Sequence, residues 1–282
     1  HPTSALVVVD LCEPGVSIRA TKYAERKATP GAWAQKAAVG AEVAINADFF
    51  DFPAATLVVG RARGDGEDWP ADKQQFEVRS YFRFGSDGAF WQPDGAVIPP
   101  GAPAVTEIVG GHNTLISDGV SLAPGFDGDT TITTSHRRTA IGLSKDRRWL
   151  YLFVSDAKLN GSGVVTQLQA MATEAGAPAI DDAVNVDGGG SSQLYVKGPG
   201  ALFTTGRLVA NHLGVRAKGT GPAPQCPKPA CTEECSPAAT NRVAIAASPA
   251  GLGYWVASAN GAIASFGSTA FQGSLVGVPL SQ

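Results

Sequence analysis

The sequence predicts an α+β fold: a large mixed, mostly antiparallel sheet with few helices, followed by a small β-hairpin tail. Three observations carry that prediction. Glycine (34) and proline (19) together make up about a fifth of the 282 residues, where an average composition gives roughly 12%, so the chain turns often and its strands are short. Only two segments carry helical periodicity, whereas six short apolar runs bounded by turn residues read as strands. A hydrophobic content of 44% with mean hydropathy near zero is enough for one sizeable core and excludes a wholly disordered chain.

The elements follow in chain order. Residues 5–11 form the first strand. The first helix spans 30–39, where Thr29 can cap, Pro30 occupies the first helical position and Gly40 follows the end. It leads into the apolar strand 43–45. Strand 78–84 comes next, and strands 140–143 and 149–154 are joined by the polar turn Ser144-Lys145-Asp146-Arg147. The second helix, 164–175, sets Val164, Val165, Leu168, Met171, Ala172 and Ala175 at helical spacing and stops at Gly176. Strand 183–186 follows it.

Residues 219–240, rich in Pro, Gly, Cys and small polar side chains, read as a linker that separates a main domain, 1–218, from a tail, 241–282. The tail carries one charged side chain, Arg242, among Tyr254, Trp255, Phe266 and Phe271. Within it two apolar runs flank Asn260-Gly261, a pair that favours the positive φ angles of a tight hairpin. A lone hairpin is marginal in water. The segment resembles the Gly-Tyr-Trp plus Ser-Phe-Gly repeat found in tandem in some secreted and cell-surface bacterial proteins. Since one copy is present, either the natural chain continues past Gln282 or the copy packs on the main domain. Attachment to a cell surface is the corresponding expectation.

Four cysteines, Cys12, Cys226, Cys231 and Cys235, lack paired C-x2-C spacing and a neighbouring histidine, so disulfides are favoured over zinc. Cys12 then closes onto one of the other three and implies an oxidising compartment. A secreted or cell-surface protein is expected, and a chain that begins at His1 reads as a mature or trimmed product. A net charge of −3 excludes an electrostatically driven nucleic-acid or anionic-membrane binder. No apolar run approaches the ~20 residues of a membrane helix, so no transmembrane segment is expected.

Three segments hold candidate chemistry. In Asn185-Val186-Asp187-Gly188-Gly189-Gly190-Ser191-Ser192 a strand ends in a carboxylate followed by three glycines and two hydroxyls. Such a run lets backbone N–H groups converge on an anion, with serine hydroxyls as further donors. It matches neither a Walker loop nor a dinucleotide loop. In Ala44-Ile45-Asn46-Ala47-Asp48-Phe49-Phe50-Asp51 polar groups again close an apolar strand. In Ser135-His136-Arg137-Arg138-Thr139-Ala140-Ile141-Gly142 two cations precede a strand; adjacent side chains of a strand point to opposite faces, and Arg138 is the one expected to face a site. His136 and His212 could move protons or serve as structural donors.

With these segments in this order, together with residues 149–156 and the closing Ala210-Asn211-His212-Leu213-Gly214-Val215, the chain resembles the phosphodiester glycosidase family over roughly residues 5–217. One departure stands out. Family members usually read Asn-Gly-Gly-Phe-Phe where this chain has Asn46-Ala47-Asp48-Phe49-Phe50, which adds a carboxylate and removes two glycines. The resemblance implies hydrolysis of the bond between an anomeric sugar carbon and a phosphodiester oxygen. An ordinary glycosidase needs two carboxyl groups. A sugar phosphodiester already carries a good leaving group, a phosphate monoester with a second pKa of about 6, so anion stabilisation can stand in for acid catalysis.

The resemblance therefore implies catalytic roles for Asp187 as base or nucleophile, for Arg138 at the phosphate and for Asp48 as a second carboxylate. Gly188, Gly189, Gly190, Ser191 and Ser192 would line the phosphate, and Asn46, Asn211 and His136 would bind substrate. The expected partner is a phosphate-containing glycan, such as an N-acetylglucosamine-1-phosphodiester. No cofactor is required; a divalent cation, if bound, would find Asp48 and Asp187, whereas Asp127-Gly128-Asp129 reads as a solvated turn. Two other functions fit the same residues: a phosphodiesterase acting on a cell-wall or teichoic-type polymer, and a non-catalytic glycan-binding envelope module.

Overall fold

The computed structural model describes residues 3–75, 80–93, 104–123, 125, 129–218 and 220–227, and three strands beyond them. Cys231, Cys235, most of the linker, Asp127, Gly128, the turn Asn260-Gly261 and Phe271 lie outside the described residues. The chain divides into two units, His1–Lys228 and Pro229–Gln282. In the second, Arg242–Ala247, Gly253–Ser258 and Ile263–Gly267 form a three-stranded antiparallel sheet, in which the last two strands are the arms of the expected hairpin.

The first unit is built from three antiparallel sheets. One has six strands, in the order Ser4–Asp10, Trp149–Leu159, His136–Ser144, Ile180–Asn185, Thr114–Ser117 and Val120–Ser121. Another has five, Gly200–Phe203, Leu194–Val196, Val43–Asn46, His212–Ala217 and Val16–Ala20. The last runs Glu67–Asp68, Arg63–Gly64, Val105–Gly110, Tyr81–Gly85 and Gly88–Gln92. Among the described strands the parallel component is the two-residue pair Val58–Val59 with Gln74–Gln75.

Strand composition follows from what each face meets. Along Trp149–Leu159, Leu150, Leu152 and Val154 enter one apolar cluster while Tyr151 and Phe153 enter another. Both faces of the six-stranded sheet are therefore covered, which is why its central strands read as continuous apolar runs. The first cluster lies between this sheet and the other two, joining Ile141 and Val184 to Ile45, Leu213, Phe82 and Val109. The second is closed by the helix Gly161–Glu174 through Val164, Val165, Leu168 and Ala172.

Both expected helices exist with shifted ends. The second starts earlier, at Gly161, because the Asn160 side chain accepts from the Gly163 N–H at 2.9 Å and caps it. The first is capped by Thr29 and opens on Pro30 but ends at Ala34. Residues beyond it turn instead, with Gly40 N–H donating to Lys36 at 2.8 Å, which sinks Val39 into the cluster around Trp33.

The hairpin 144–147 forms as expected, Arg147 N–H returning to the Ser144 carbonyl at 2.9 Å. A disulfide joins Cys12 to Cys226 across a sequence separation of 214. No helix among the described residues is long and apolar enough to cross a membrane.

Candidate active site

The three sheets converge where strands Val43–Asn46 and Ile180–Asn185 end. Asp187 N–H donates to the Ala47 carbonyl at 3.0 Å, and Val186 N–H donates to Thr139 at 3.0 Å. Asn46 ties this junction. Its Nδ2 donates to the Asp187 carbonyl at 2.6 Å, while its Oδ1 accepts from Thr139 Oγ1 at 2.8 Å and from Gln193 N–H at 3.1 Å. Asn46 is thus a buried brace that sets where Asp187 sits, and its polar atoms are turned inward rather than toward a sugar.

Asp48 is buried beneath the same junction. Oδ1 accepts from Gly110 N–H at 2.8 Å and Oδ2 from Asn211 Nδ2 at 2.7 Å. A Cβ on Gly110 would stand 2.7 Å from Oδ1, so the absence of a side chain there makes room for the carboxyl. Burial pushes the Asp48 carboxyl well above the usual carboxylate range, against those two donors, and neighbouring Asp187 adds to the shift. Asn211 Oδ1 in turn accepts from Thr21 N–H at 3.2 Å and His212 N–H at 2.9 Å. Asp48 and Asn211 therefore face each other inside the protein.

The glycine loop begins at Asp187. Gly188 N–H donates to Asp187 Oδ1 at 2.9 Å, and the loop then makes a short 3-10 turn, Gly189–Ser191. A Cβ on Gly188 would lie 2.9 Å from the Arg137 carbonyl, and Gly189 has φ +60°, so both positions require glycine. The expected cradle is smaller than five amides: those of Ser191 and Ser192 donate to Gly188 and Gly189 carbonyls at 3.0 and 3.4 Å. The amides of Gly189 and Gly190 have no partner among the described residues. Ser192 Oγ is buried and likewise unpartnered.

Burial pushes the Asp187 carboxyl up to about 6; the Ser191 side chain, the Gly188 amide and the charge of Arg207 oppose that shift without cancelling it. Asp187, Gly188 and Gly189 line a cleft of about 230 Å³ with Phe49, Thr131, His136 and the Arg138 side chain. Of the expected site residues, then, Asp187, Arg138, His136 and the first two glycines line one cavity.

Arg138, expected to face a site, does line the cleft, but its donors are engaged elsewhere. Its guanidinium is held by backbone carbonyls: Nε donates to the Leu159 carbonyl at 2.9 Å, and the terminal nitrogens donate to carbonyls of Thr131 at 2.8 Å, Ile132 at 3.4 Å and Thr134. It satisfies the last carbonyls of the short helix Thr130–Thr133, the groups a helix end leaves without partners. Arg137, on the other side of the strand, pairs with Asp156 at 2.7 Å. His212 is also structural. Its Nε2–H donates to the Ala28 carbonyl at 3.0 Å, Nδ1 accepts from Thr21 Oγ1 at 2.8 Å, and the ring stacks on Trp33 at 4.9 Å. Burial pulls its pKa down to about 3, so it stays neutral.

The cation beside the glycine loop is Arg207. Its guanidinium lies so close to Gly190 that a Cβ there would approach within 2.4 Å, and one terminal nitrogen donates to Ser191 Oγ at 3.4 Å. The segment carrying it is stitched to the loop: Gln193 Nε2 donates to the Arg207 carbonyl at 2.9 Å, and Thr205 Oγ1 donates to the Gly190 carbonyl. Arg207 sits in Thr205-Gly206-Arg207-Leu208, four residues before Asn211, with no periodicity to single it out. Its proximity to the family-like closing segment was the available signal.

Two residues before Thr131 of the cleft wall, Asp129 accepts from Asn113 Nδ2 at 2.5 Å and from Thr131 N–H at 2.8 Å, and lies 3.3 Å from His112 Nε2. Its carboxylate is committed to holding that wall. No group of three His, Cys, Asp or Glu side chains placed to hold a metal occurs among the described residues.

The sequence profile of the phosphodiester glycosidase family matches residues 39–216. No curated protein sequence matches the chain. Among solved structures, the catalytic domain of zebrafish N-acetylglucosamine-1-phosphodiester alpha-N-acetylglucosaminidase, auto-inhibited by its pro-peptide, is similar with a TM-score of 0.58 and 16% identity, over 77% of this chain and 85% of that one. A hypothetical protein from Synechocystis is similar with a TM-score of 0.51 and 17% identity, over 76% of this chain and 59% of that one. At these identities the likeness is one of fold.

Proposed function

The chain belongs to the phosphodiester glycosidase family and is a hydrolase of the glycosidase type, and from that premise we propose that it splits the bond between a sugar's anomeric carbon and a phosphodiester oxygen. The zebrafish enzyme of similar fold, named for N-acetylglucosamine-1-phosphodiesters, makes such a diester the first substrate to try. The observation that carries the reading is the pairing of one cleft-facing carboxylate, Asp187, with the Arg207 guanidinium and two unpartnered amides, Gly189 and Gly190.

That set suits a phosphate leaving group better than a sugar alkoxide. A poor alkoxide needs an acid as well as a base or nucleophile. Asp48 is sealed under the junction and Asp129 is tied to its rim, so neither is free to protonate a leaving oxygen. A departing phosphate monoester is instead stabilised by charge, which Arg207 and the amides supply in a partly desolvated setting. Asp187 then either activates the attacking water or attacks the anomeric carbon itself. Asn46 and the glycine loop hold it in place, and Asp48 with Asn211 braces the floor. The disulfide Cys12–Cys226 supports an exported protein.

Hydrolysis in oxygen-18 water tests the bond assignment. Label is expected in the released sugar; label in the phosphate product would overturn the glycosidic assignment in favour of P–O cleavage.

A further inference from the structure

Resting on the sugar phosphodiester reading above, we propose that Arg26, Lys27 and Lys36 form a second anion site, which takes a further phosphate carried by the far group of the diester. The substrate class is then a chain with phosphates in series rather than a lone diester. Carboxylates beside these cations are already matched, Glu25 by Arg19 at 2.8 Å and Asp72 by Lys73 at 2.8 Å. Arg26, Lys27 and Lys36 themselves have no carboxylate partner among the described residues. They stand together. Lys36 Nζ donates to the Glu25 carbonyl at 2.8 Å, one residue before Arg26. Arg26 is held in place, with Nη1 donating to the Tyr23 carbonyl at 2.8 Å and Cζ 3.8 Å from the centroid of the Tyr23 ring. A guanidinium so stacked has already lost freedom that a ligand would otherwise have to remove. Lys27 is exposed beside it. In a chain of net charge −3, the attraction for an anion here is local.

The cations adjoin the phosphate side of the catalytic site. Lys27 N–H donates to the Val209 carbonyl at 3.0 Å, and Val209 N–H donates to the Ala28 carbonyl at 2.9 Å. Val209 lies two residues beyond Arg207, at most about 7 Å of extended chain. The cleft that ends in Asp187 is lined by Phe49, Thr131, His136, Arg138 and the first glycines, and by none of these three cations. A phosphate on Arg207 therefore has the cleft on the side of the anomeric sugar and the cationic stretch on the side of its other ester. At physiological salt a charge is felt over about 8 Å. The stretch thus acts on an anion one unit further along the substrate and only weakly on the scissile phosphate itself. Arginine and lysine both serve phosphate, the first through paired donors and the second as a point charge.

The test compares three N-acetylglucosamine-1-phosphodiesters on the full chain, whose far groups are glycerol, glycerol phosphate and glycerate. Wild-type kcat/KM is expected to be about five- to tenfold higher for the glycerol phosphate ester than for the glycerol ester, and 0.5 M salt should erase most of that preference. Replacing the three cations together (Arg26→Gln, Lys27→Gln, Lys36→Gln) should bring the ratio near one and leave the glycerol ester unchanged. The double variant that keeps Arg26, and with it the Tyr23 stack, should fall between. An unchanged ratio in the triple variant, or an equal loss on both esters, would overturn the proposal. A glycerate ester that gains as much as the glycerol phosphate ester would assign the stretch to anions at large and overturn the choice of phosphate. Wild-type protein that cleaves none of the three would count against the proposed function, while calorimetric binding of the same esters would still decide the role of the three cations.

Discussion

Replacing Asp187 by Asn should make the protein inactive and, at neutral pH, more stable. In the folded protein the carboxyl is pushed from 3.8 to about 6 by burial. The folded state therefore binds a proton more tightly than the unfolded chain, and stability falls as pH rises from about 4 to about 6. Two units correspond to about 3 kcal/mol, fully expressed above pH 6 and largely absent near pH 4. Asn keeps the shape and can still accept from the Gly188 amide, but it carries no charge to desolvate. For a unit of this size 1 kcal/mol moves Tm by about 2–4 °C, so Asp187→Asn should unfold up to about 6–12 °C higher at pH 8 and nearly level with wild type at pH 4. Glu107, buried and pushed up to about 7, adds its own pH dependence to both proteins and cancels in the difference.

The assay is thermal unfolding of both proteins at the two pH values, with turnover measured alongside. Wild-type kcat/KM should fall about tenfold per unit below pH 6, as the base takes up its proton. An Asp187→Asn protein that is no more stable than wild type at pH 8, or a gap of equal size at both pH values, would refute the claim that burial strains this carboxylate. Residual activity near the wild-type level would refute its catalytic role.

Two further outcomes follow from the same geometry. Arg207→Ala should cost on the order of 10²–10³ in kcat/KM with little change in Tm, as expected for loss of a charge that meets the developing anion, whereas Arg138→Met should unfold at lower temperature because it strands buried carbonyls at about 1–3 kcal/mol each; parallel kinetics and melting curves separate them, and reversed phenotypes would exchange their roles. Cys12→Ser should lower stability by about 2–5 kcal/mol, given the long loop that the bond closes, and reductant should lower the wild-type Tm toward that of the variant.

Much of the fold was legible because it depends on local chemistry. Thr29 and Pro30 start a helix wherever they stand, and the glycine loop announces itself because three consecutive glycines have few structural uses. Helix ends were less legible: Asn160 caps earlier than the apolar period begins, and Val39 is drawn from its helix into the core. A run such as Leu150–Val154 also reads as one strand in one sheet; that two further sheets pack across it depends on residues far away in the chain, such as Ile45, Phe82, Val109 and Leu213.

The site divides along the same line. Composition and short apolar runs determined a turn-rich, mostly antiparallel fold, and the order of motifs pointed to the family and marked Asp187 and the glycine loop as its candidate site, because residue types and close neighbours carry that information. Which cation serves the loop was decided by tertiary structure. Arg138 and Arg207 are equally charged in the sequence, but a short helix and its cap residue place three carbonyls around the first, the strand end at Leu159 adds a fourth, and together they take up its donors. Gly190 leaves space against which the second can lie. Likewise Asn46, Asp48 and Asn211 stand at strand ends, where sequence suggests contact with substrate. Folding instead brings three sheets together over them, and buried polar groups without water must satisfy one another.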